Sequence, residues 1–204
     1  MKKGSLYIIS APSGTGKTSL VKALVESLPN TQVSISHTTR DIRPGEINNI
    51  HYHFVNQAQF KAMIAEGGFI EYAEVYGNYY GTSRQWVEEH LNQGIDVILE
   101  IEWQGARQVR EAFPEVVTIF ILPPNKTALE ERLRSRGQDT ENVIQRRLAE
   151  ASQEVEYCTE YDYLVINDQF EMALSDLRSI LKAEHCRRKK QWLLFKRLVS
   201  ELTV

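Results

Sequence analysis

Eight consecutive residues near the N-terminus, Ala11-Pro12-Ser13-Gly14-Thr15-Gly16-Lys17-Thr18, place two glycines, a lysine and a hydroxyl at the spacing of a phosphate-binding loop. Backbone amides of Gly14, Thr15, Gly16 and Lys17 can point inward and cradle phosphate oxygens. Lys17 can reach the outer phosphates, and the Thr18 hydroxyl can ligate Mg²⁺. Ala11 stands where the common pattern opens with glycine.

Such a loop works only between a strand and a helix, because the helix N-terminus adds its dipole and its unpaired N–H groups. Both are predicted here. The apolar run Leu6, Tyr7, Ile8, Ile9 precedes the loop, and a helical pattern of Leu20, Val21, Leu24, Val25 and Leu28 follows it. A chance glycine turn would not need both neighbours in register.

The rest of the chain supplies a frame. Residues 33–36 read as a short strand. Residues 37–84 change character, being rich in Tyr, Asn, Gly and charge, and read as an inserted binding segment with one short helix through Phe60, Met63 and Ile64. Ser83 is a helix N-cap candidate for a helix that ends at Gly94. Residues 96–102 and 116–122 read as buried strands, with a helix through Ala106, Val109 and Ala112 between them. After Pro124 come an arginine-rich helix that stops at Gly137, a long helix capped by Thr140, a last strand at 163–168, and helix from Gln169 onward. Strands alternating with helices predict an α/β fold whose parallel central sheet binds its ligand at the strands' carboxyl ends. That rule puts Glu100 and Glu102 on the same edge as the loop.

Composition narrows the class. The chain has 204 residues, a net charge of −3 and two cysteines, Cys158 and Cys186, without metal-type spacing. Anion binding must therefore come from local clusters, and no nucleic-acid partner is expected. Low cysteine usage fits a reducing, cytoplasmic setting. The N-terminal apolar run is too short and polar for a secretory signal, and no membrane association is expected.

The arginines select a reaction. Arg40 and Arg43 lie in the insert, Arg132 and Arg136 share a helix face at i, i+4, and Arg147 follows on the next helix. For any single arginine a solvated surface is the simpler reading. Two clusters on either side of a phosphate loop point to two phosphate-bearing ligands. A hydrolase must orient water and an alcohol kinase needs a base, whereas a kinase acting on a phosphate meets an acceptor oxygen already anionic. That last reaction needs charge compensation and exclusion of water, which arginines on mobile segments can provide.

The chain resembles the guanylate kinases over essentially its whole length. Beyond the loop, the resemblance rests on Ser36-His-Thr-Thr-Arg40-Asp-Ile-Arg43-Pro-Gly-Glu46, Tyr52-His-Phe54, Phe69-Ile-Glu71-Tyr, Gly77-Asn-Tyr-Tyr-Gly81-Thr82, Glu100-Ile-Glu-Trp-Gln-Gly105, Arg132-Leu-Arg-Ser-Arg-Gly137 and Val165-Ile-Asn-Asp168. It implies Mg²⁺-dependent phosphoryl transfer from ATP to GMP. By similarity, Ser36, Arg40, Arg43, Tyr52 and Tyr80 would hold the GMP phosphate, Glu71 would read guanine N1–H and N2–H, and Thr82 would face the O6 edge. Arg132, Arg136 and Arg147 would stabilise the transferring group, with Lys17 and Arg40. Asn167 and Asp168 sit where the family contacts adenine, and a plain strand-end turn explains them equally well. Glu100 and Glu102 occupy positions often held by Asp. The resemblance places Glu102 near the guanine amino group and Glu100 near Lys17 or magnesium-bound water, with the extra methylene shifting reach.

The resulting expectation is one domain: a core at 1–36, 85–124 and 158–204, a GMP-binding insert at 37–84, and a helical lid at 125–157. His51 and His53 lack companions for a metal site. The three tryptophans are expected in packing roles. Residues 185–197 form a basic amphipathic pattern whose apolar side is expected to pack on the domain or on a second subunit, leaving homo-oligomerisation open. Two other classes are weighed. A non-catalytic interaction module would be expected to have an eroded loop, and a P-loop hydrolase acting as a switch would turn over without any monophosphate.

Overall fold

The computed structural model describes residues 3–75, 77–135 and 140–203. Its elements run β1 (Leu6–Ser10), α1 (Lys17–Ser27), β2 (Thr31–Val33), β3 (His37–Thr38), β4 (His53–Phe54), α2 (Gln57–Ala65), β5 (Phe69–Val75), β6 (Asn78–Ser83), α3 (Arg84–Asn92), β7 (Asp96–Leu99), α4 (Trp103–Ala112), β8 (Val117–Leu122), α5 (Lys126–Ser135), α6 (Glu141–Glu156), a 3₁₀ turn (Tyr157–Glu160), β9 (Tyr163–Ile166), α7 (Phe170–His185) and α8 (Arg188–Leu202).

Five parallel strands form the central sheet in the order β2-β7-β1-β8-β9. The period of two along β1 builds both faces of the core. Tyr7 and Ile9 pack with Leu20, Val21 and Leu24 of α1 and with Ala173, Leu174, Leu177 and Leu181 of α7. Leu6 and Ile8 point the other way, into a cluster with Val87 and Leu91 of α3 and Ala106 and Val109 of α4. All of β1 is buried, which explains its unbroken apolar run. The expected α/β fold with helices on both faces is what forms.

A second, mixed sheet of four strands has the order β4-β3-β6-β5. Its centre is aromatic. Phe60 is fully buried and stacks on Phe69 at 4.4 Å and on Tyr79 at 5.4 Å. Asn56 and Gln59 start α2 with a reciprocal capping box. Helices α5 and α6 share a small core of Leu129, Leu133, Ile144, Leu148 and Ala151.

Several elements differ from their sequence-predicted form. The strand read at 33–36 lies at Thr31–Val33. The strand read at 96–102 stops at Leu99, because the Ser10 hydroxyl donates to the Ile101 carbonyl at 2.6 Å and the chain there leaves the ladder. Glu102 becomes the N-cap position of α4 instead of a strand end. Thr140 occupies the N-cap of α6 without a side-chain bond, whereas Ser83 caps α3 by accepting from the Trp86 amide. The apolar side of α8, expected to pack on the domain or on a second subunit, is largely exposed among the described residues. Trp192, Leu194, Phe195, Leu198, Val199 and Leu202 are exposed, and Lys190 and Lys189 tether the helix start to Ser5 and Glu115. Trp86 and Trp103 do pack, on His90 and Tyr157.

Candidate active site

The loop between β1 and α1 is shaped by two glycines with left-handed backbone, Gly14 at φ 90° and Gly16 at φ 95°. Close approach also excludes side chains there. A Cβ on Gly14 would lie 2.8 Å from Leu133 Cδ2, and one on Gly16 would lie 2.7 Å from Asn167 Nδ2. Thr15 folds the loop inward, its hydroxyl donating to the Pro12 carbonyl at 2.6 Å and its N–H to the same oxygen at 3.2 Å. Of the four amides expected in the cradle, those of Gly14, Gly16 and Lys17 keep no partner among the described residues, while that of Thr15 is taken.

Two side chains brace this loop from behind. Asn167, buried at the end of β9, donates to the Thr15 carbonyl at 2.7 Å. Arg132 of α5 donates to the Asn167 carbonyl at 2.9 Å and to the Thr15 carbonyl at 3.4 Å. Carbonyls satisfied on the outside leave the inner face rich in N–H groups. Asp168 is exposed beside them. Arg147 is half-buried on α6, and Arg136 lies outside the described residues.

Two cavities meet at Lys17. The smaller, about 240 Å³, is walled by Ala11, Pro12, Ser13, Gly14, Thr15 and Gly16 and reaches Glu102 and Glu154. The larger, about 790 Å³, runs from Lys17 and Thr18 past Ser36, Glu46 and Tyr52 to Glu100 and Glu102. Lys17 Nζ stands 3.7 Å from Glu102 Oε1. Burial raises the Glu100 carboxyl above its ordinary range, and the Lys17 ammonium works against that rise. No sequence signal marks Glu154, one acid in a helix full of charge. Burial, then the nearby Glu102 charge, pushes it up to about 7, with Lys17 opposing.

On the far wall stands Glu46, which accepts a fork of two hydrogen bonds from Arg40 behind it, at 2.9 Å and 2.8 Å. Glu46 also accepts the Arg43 amide at 2.8 Å. The Arg40 guanidinium, then that amide, hold the Glu46 carboxyl down at about 2. The Arg40 carbon lies 5.3 Å from the centre of the Tyr52 ring, and Tyr52 meets Tyr80 edge-on at 6.1 Å. Glu71 and Thr82 face each other across β5 and β6, and the Thr82 hydroxyl donates to Glu71 Oε1 at 2.6 Å. Glu71 is 5 % exposed and burial pushes its carboxyl up to about 7, against the Thr82 bonds. Its other oxygen lies against α4, where a Cβ on Gly105 would sit only 2.6 Å away.

The structure thus brings Lys17, Thr18, Ser36, Tyr52, Glu100 and Glu102 to one cavity wall. Glu71 and Thr82 form a separate buried pair outside that wall. Among the described residues there is no group of three or more His, Cys, Asp and Glu placed to hold a metal ion. His51 accepts the Ile47 amide and His53 pairs with Asn49.

A parallel sheet whose first turn is a glycine cradle, joined at Lys17 to a second cavity lined by Ser36, Glu46 and Tyr52, defines a P-loop phosphotransferase of the α/β class. The comparisons agree and go further. The family model described as guanylate kinase matches residues 3–184. The chain is 54 % identical over 204 residues to the guanylate kinases of Vibrio parahaemolyticus and Salmonella typhimurium, covering 99 % of each chain in both cases. A crystal structure of guanylate kinase from Anaplasma phagocytophilum superposes with a TM-score of 0.77 at 33 % identity, over 97 % of each chain. The chain belongs to the guanylate kinase family.

Proposed function

We propose that this protein transfers the γ-phosphoryl group of ATP to GMP, giving ADP and GDP. The observation that carries this is the meeting of the two cavities at Lys17, one a backbone cradle and the other lined by Tyr52, Ser36 and the Glu46 that grips Arg40. The loop residues 11–18 hold the triphosphate, with Asn167 and Asp168 at its adenine side. Ser36, Arg40, Arg43, Tyr52 and Tyr80 hold the acceptor phosphate. Glu71 accepts from guanine N1–H and N2–H, Thr82 faces O6, and Glu102 lies at the amino-group side. A GMP phosphate oxygen attacks the γ-phosphorus as the bond to the β-bridging oxygen breaks, and ADP leaves. No base is needed, because the nucleophile carries no proton to remove at neutral pH. Lys17, Arg40, Arg132, Arg136 and Arg147 compensate the charge brought together.

The donor set fits a hard divalent ion, since Thr18 offers a hydroxyl oxygen and Glu100 a carboxylate to the same cavity. Thr18, and Glu100 through water, would hold Mg²⁺ there, and the ion would supply positive charge to offset that of the triphosphate. The segments 37–84 and 125–157 act as insert and lid on a core of 1–36, 85–124 and 158–204, and their closure excludes water. The exposed apolar side of α8 supports pairing with a second copy of the chain. Among the described residues no helix is long and apolar enough to cross a membrane, and the two free thiols support a cytoplasmic enzyme.

The test is ADP formation from ATP and Mg²⁺ with GMP, AMP, CMP, UMP or dTMP as acceptor. Turnover with GMP, lost in Lys17→Met and at least about 100-fold weaker in Glu71→Ala, is expected. Equal turnover with another monophosphate would overturn the assignment of Glu71, and acceptor-independent turnover would overturn the kinase reading.

A further inference from the structure

The Glu71 carboxylate must stand in one place to read a base, yet it sits on β5, the edge strand of the second sheet. An edge strand has one paired side, here toward β6, and one side of free backbone groups that lets it shift or fray. On that free side the Gln108 side chain of α4 meets the residue next to Glu71. Gln108 Oε1 accepts the Tyr72 amide at 3.1 Å, and Gln108 Nε2 donates to the Tyr72 carbonyl at 2.9 Å. One side-chain amide thus stands in for a neighbouring strand.

We propose that Gln108 is a positioning residue for base selection, clamping β5 to α4 so that Glu71 is held against Gly105 in its reading position. Gly105 and Gln108 are three apart and share a face of α4. Three successive residues of β5 are fixed on that helix face and its surroundings. Ile70 packs in the cluster containing Ala106 and Val109, Glu71 lies over the missing Cβ of Gly105, and Tyr72 is gripped by Gln108. The first two contacts set depth. Of the three contacts to α4, the amide pair is the one that resists sliding along the strand, because its two hydrogen bonds are directional, and it does on the free edge what the β6 ladder does on the paired one. The proposal rests on Glu71 being the base-reading group.

Tyr72 is 41 % exposed, so water can replace the lost partner and the fold is expected to survive. In Gln108→Met, which keeps the side-chain length and removes both bonds, KM for GMP is expected to rise about five- to tenfold with kcat within about twofold. KM for ATP stays unchanged. The preference for GMP over inosine monophosphate, which lacks the 2-amino group, shrinks with it. Gln108→Glu keeps the acceptor for the Tyr72 amide and is expected to fall between the two, which also carries the test should Gln108→Met not fold. Glu71→Ala is measured beside them. A shift in the GMP to inosine monophosphate preference in Glu71→Ala but in neither Gln108 variant would overturn the positioning role, whatever their Tm. No shift in Glu71→Ala would remove the Glu71 reading itself, and the proposal with it.

Discussion

The loop at residues 11–18 and the segment at 37–84, proposed to hold the two phosphates, place their groups by different means. The loop is set by backbone. Its glycines adopt left-handed conformations, Thr15 is 1 % exposed, and its carbonyl is tied down by Asn167 and Arg132. The segment relies on side chains, those around Arg40 carried by two-residue strands and turns with Ile42, Ile47 and Ile50 exposed, and Glu71 and Thr82 carried by the longer β5 and β6. There Arg40 is aligned by Glu46, and Glu71 by Thr82. The difference matches the two tasks. Every triphosphate offers the same oxygens, so a rigid amide cradle serves. Choosing one monophosphate requires placed side chains on an element that can open and close, which is drawn from the less stable part of a fold.

Breaking the junction of the two regions should have the largest effect. Lys17→Met is expected to lower kcat/KM by about 10³-fold or more, with binding of GMP alone little changed, as read by steady-state kinetics and calorimetry.

Next is the buried carboxylate. Glu71 has a native pKa of about 7, above its usual 4.5, so the native state holds a proton that the unfolded chain releases between those values. This contribution is complete below about pH 4.5 and is lost as pH rises through about 7. Glu71→Gln is therefore expected to raise the Tm of the ligand-free protein at pH 8, by at most about 3 kcal/mol of stability, and the gain should fade toward pH 5. Glu154, also at about 7, keeps the same sign of pH dependence in the variant.

On the donor side, Arg132→Met removes one brace of the loop while Asn167 keeps the other. KM for ATP should rise about tenfold and kcat should fall, with KM for GMP unaffected. On the acceptor side, Glu46→Gln loosens the fork on Arg40 and should raise KM for GMP only about threefold, leaving ATP untouched. A change in ATP affinity from Glu46→Gln, or in GMP affinity from Arg132→Met, would blur the division between the regions.

How much of this was legible depended on distance along the chain. The loop was readable because its strand, glycines and helix are contiguous, and the parallel sheet because β1, β7 and β8 are short, mostly apolar runs. The early end of β7 was not, since it depends on Ser10 meeting Ile101. Asn167 could be read as a strand end but not as a brace for Thr15, 152 positions away. Glu154 and Gln108 look like ordinary helix-surface residues, and only tertiary packing gives one a buried carboxyl and the other a strand edge. The charges of α8 were visible, while the exposure of its apolar side was set by where the helix leaves the domain.

The most direct test of the contrast is backbone ¹⁵N relaxation, with and without GMP. Residues 14–18 are expected to be as ordered as the central strands before any ligand is added and to change little with GMP, while residues 37–55 are mobile alone and stiffen on GMP binding. A mobile loop that stiffens only with ATP, beside a segment already ordered without GMP, would contradict the account.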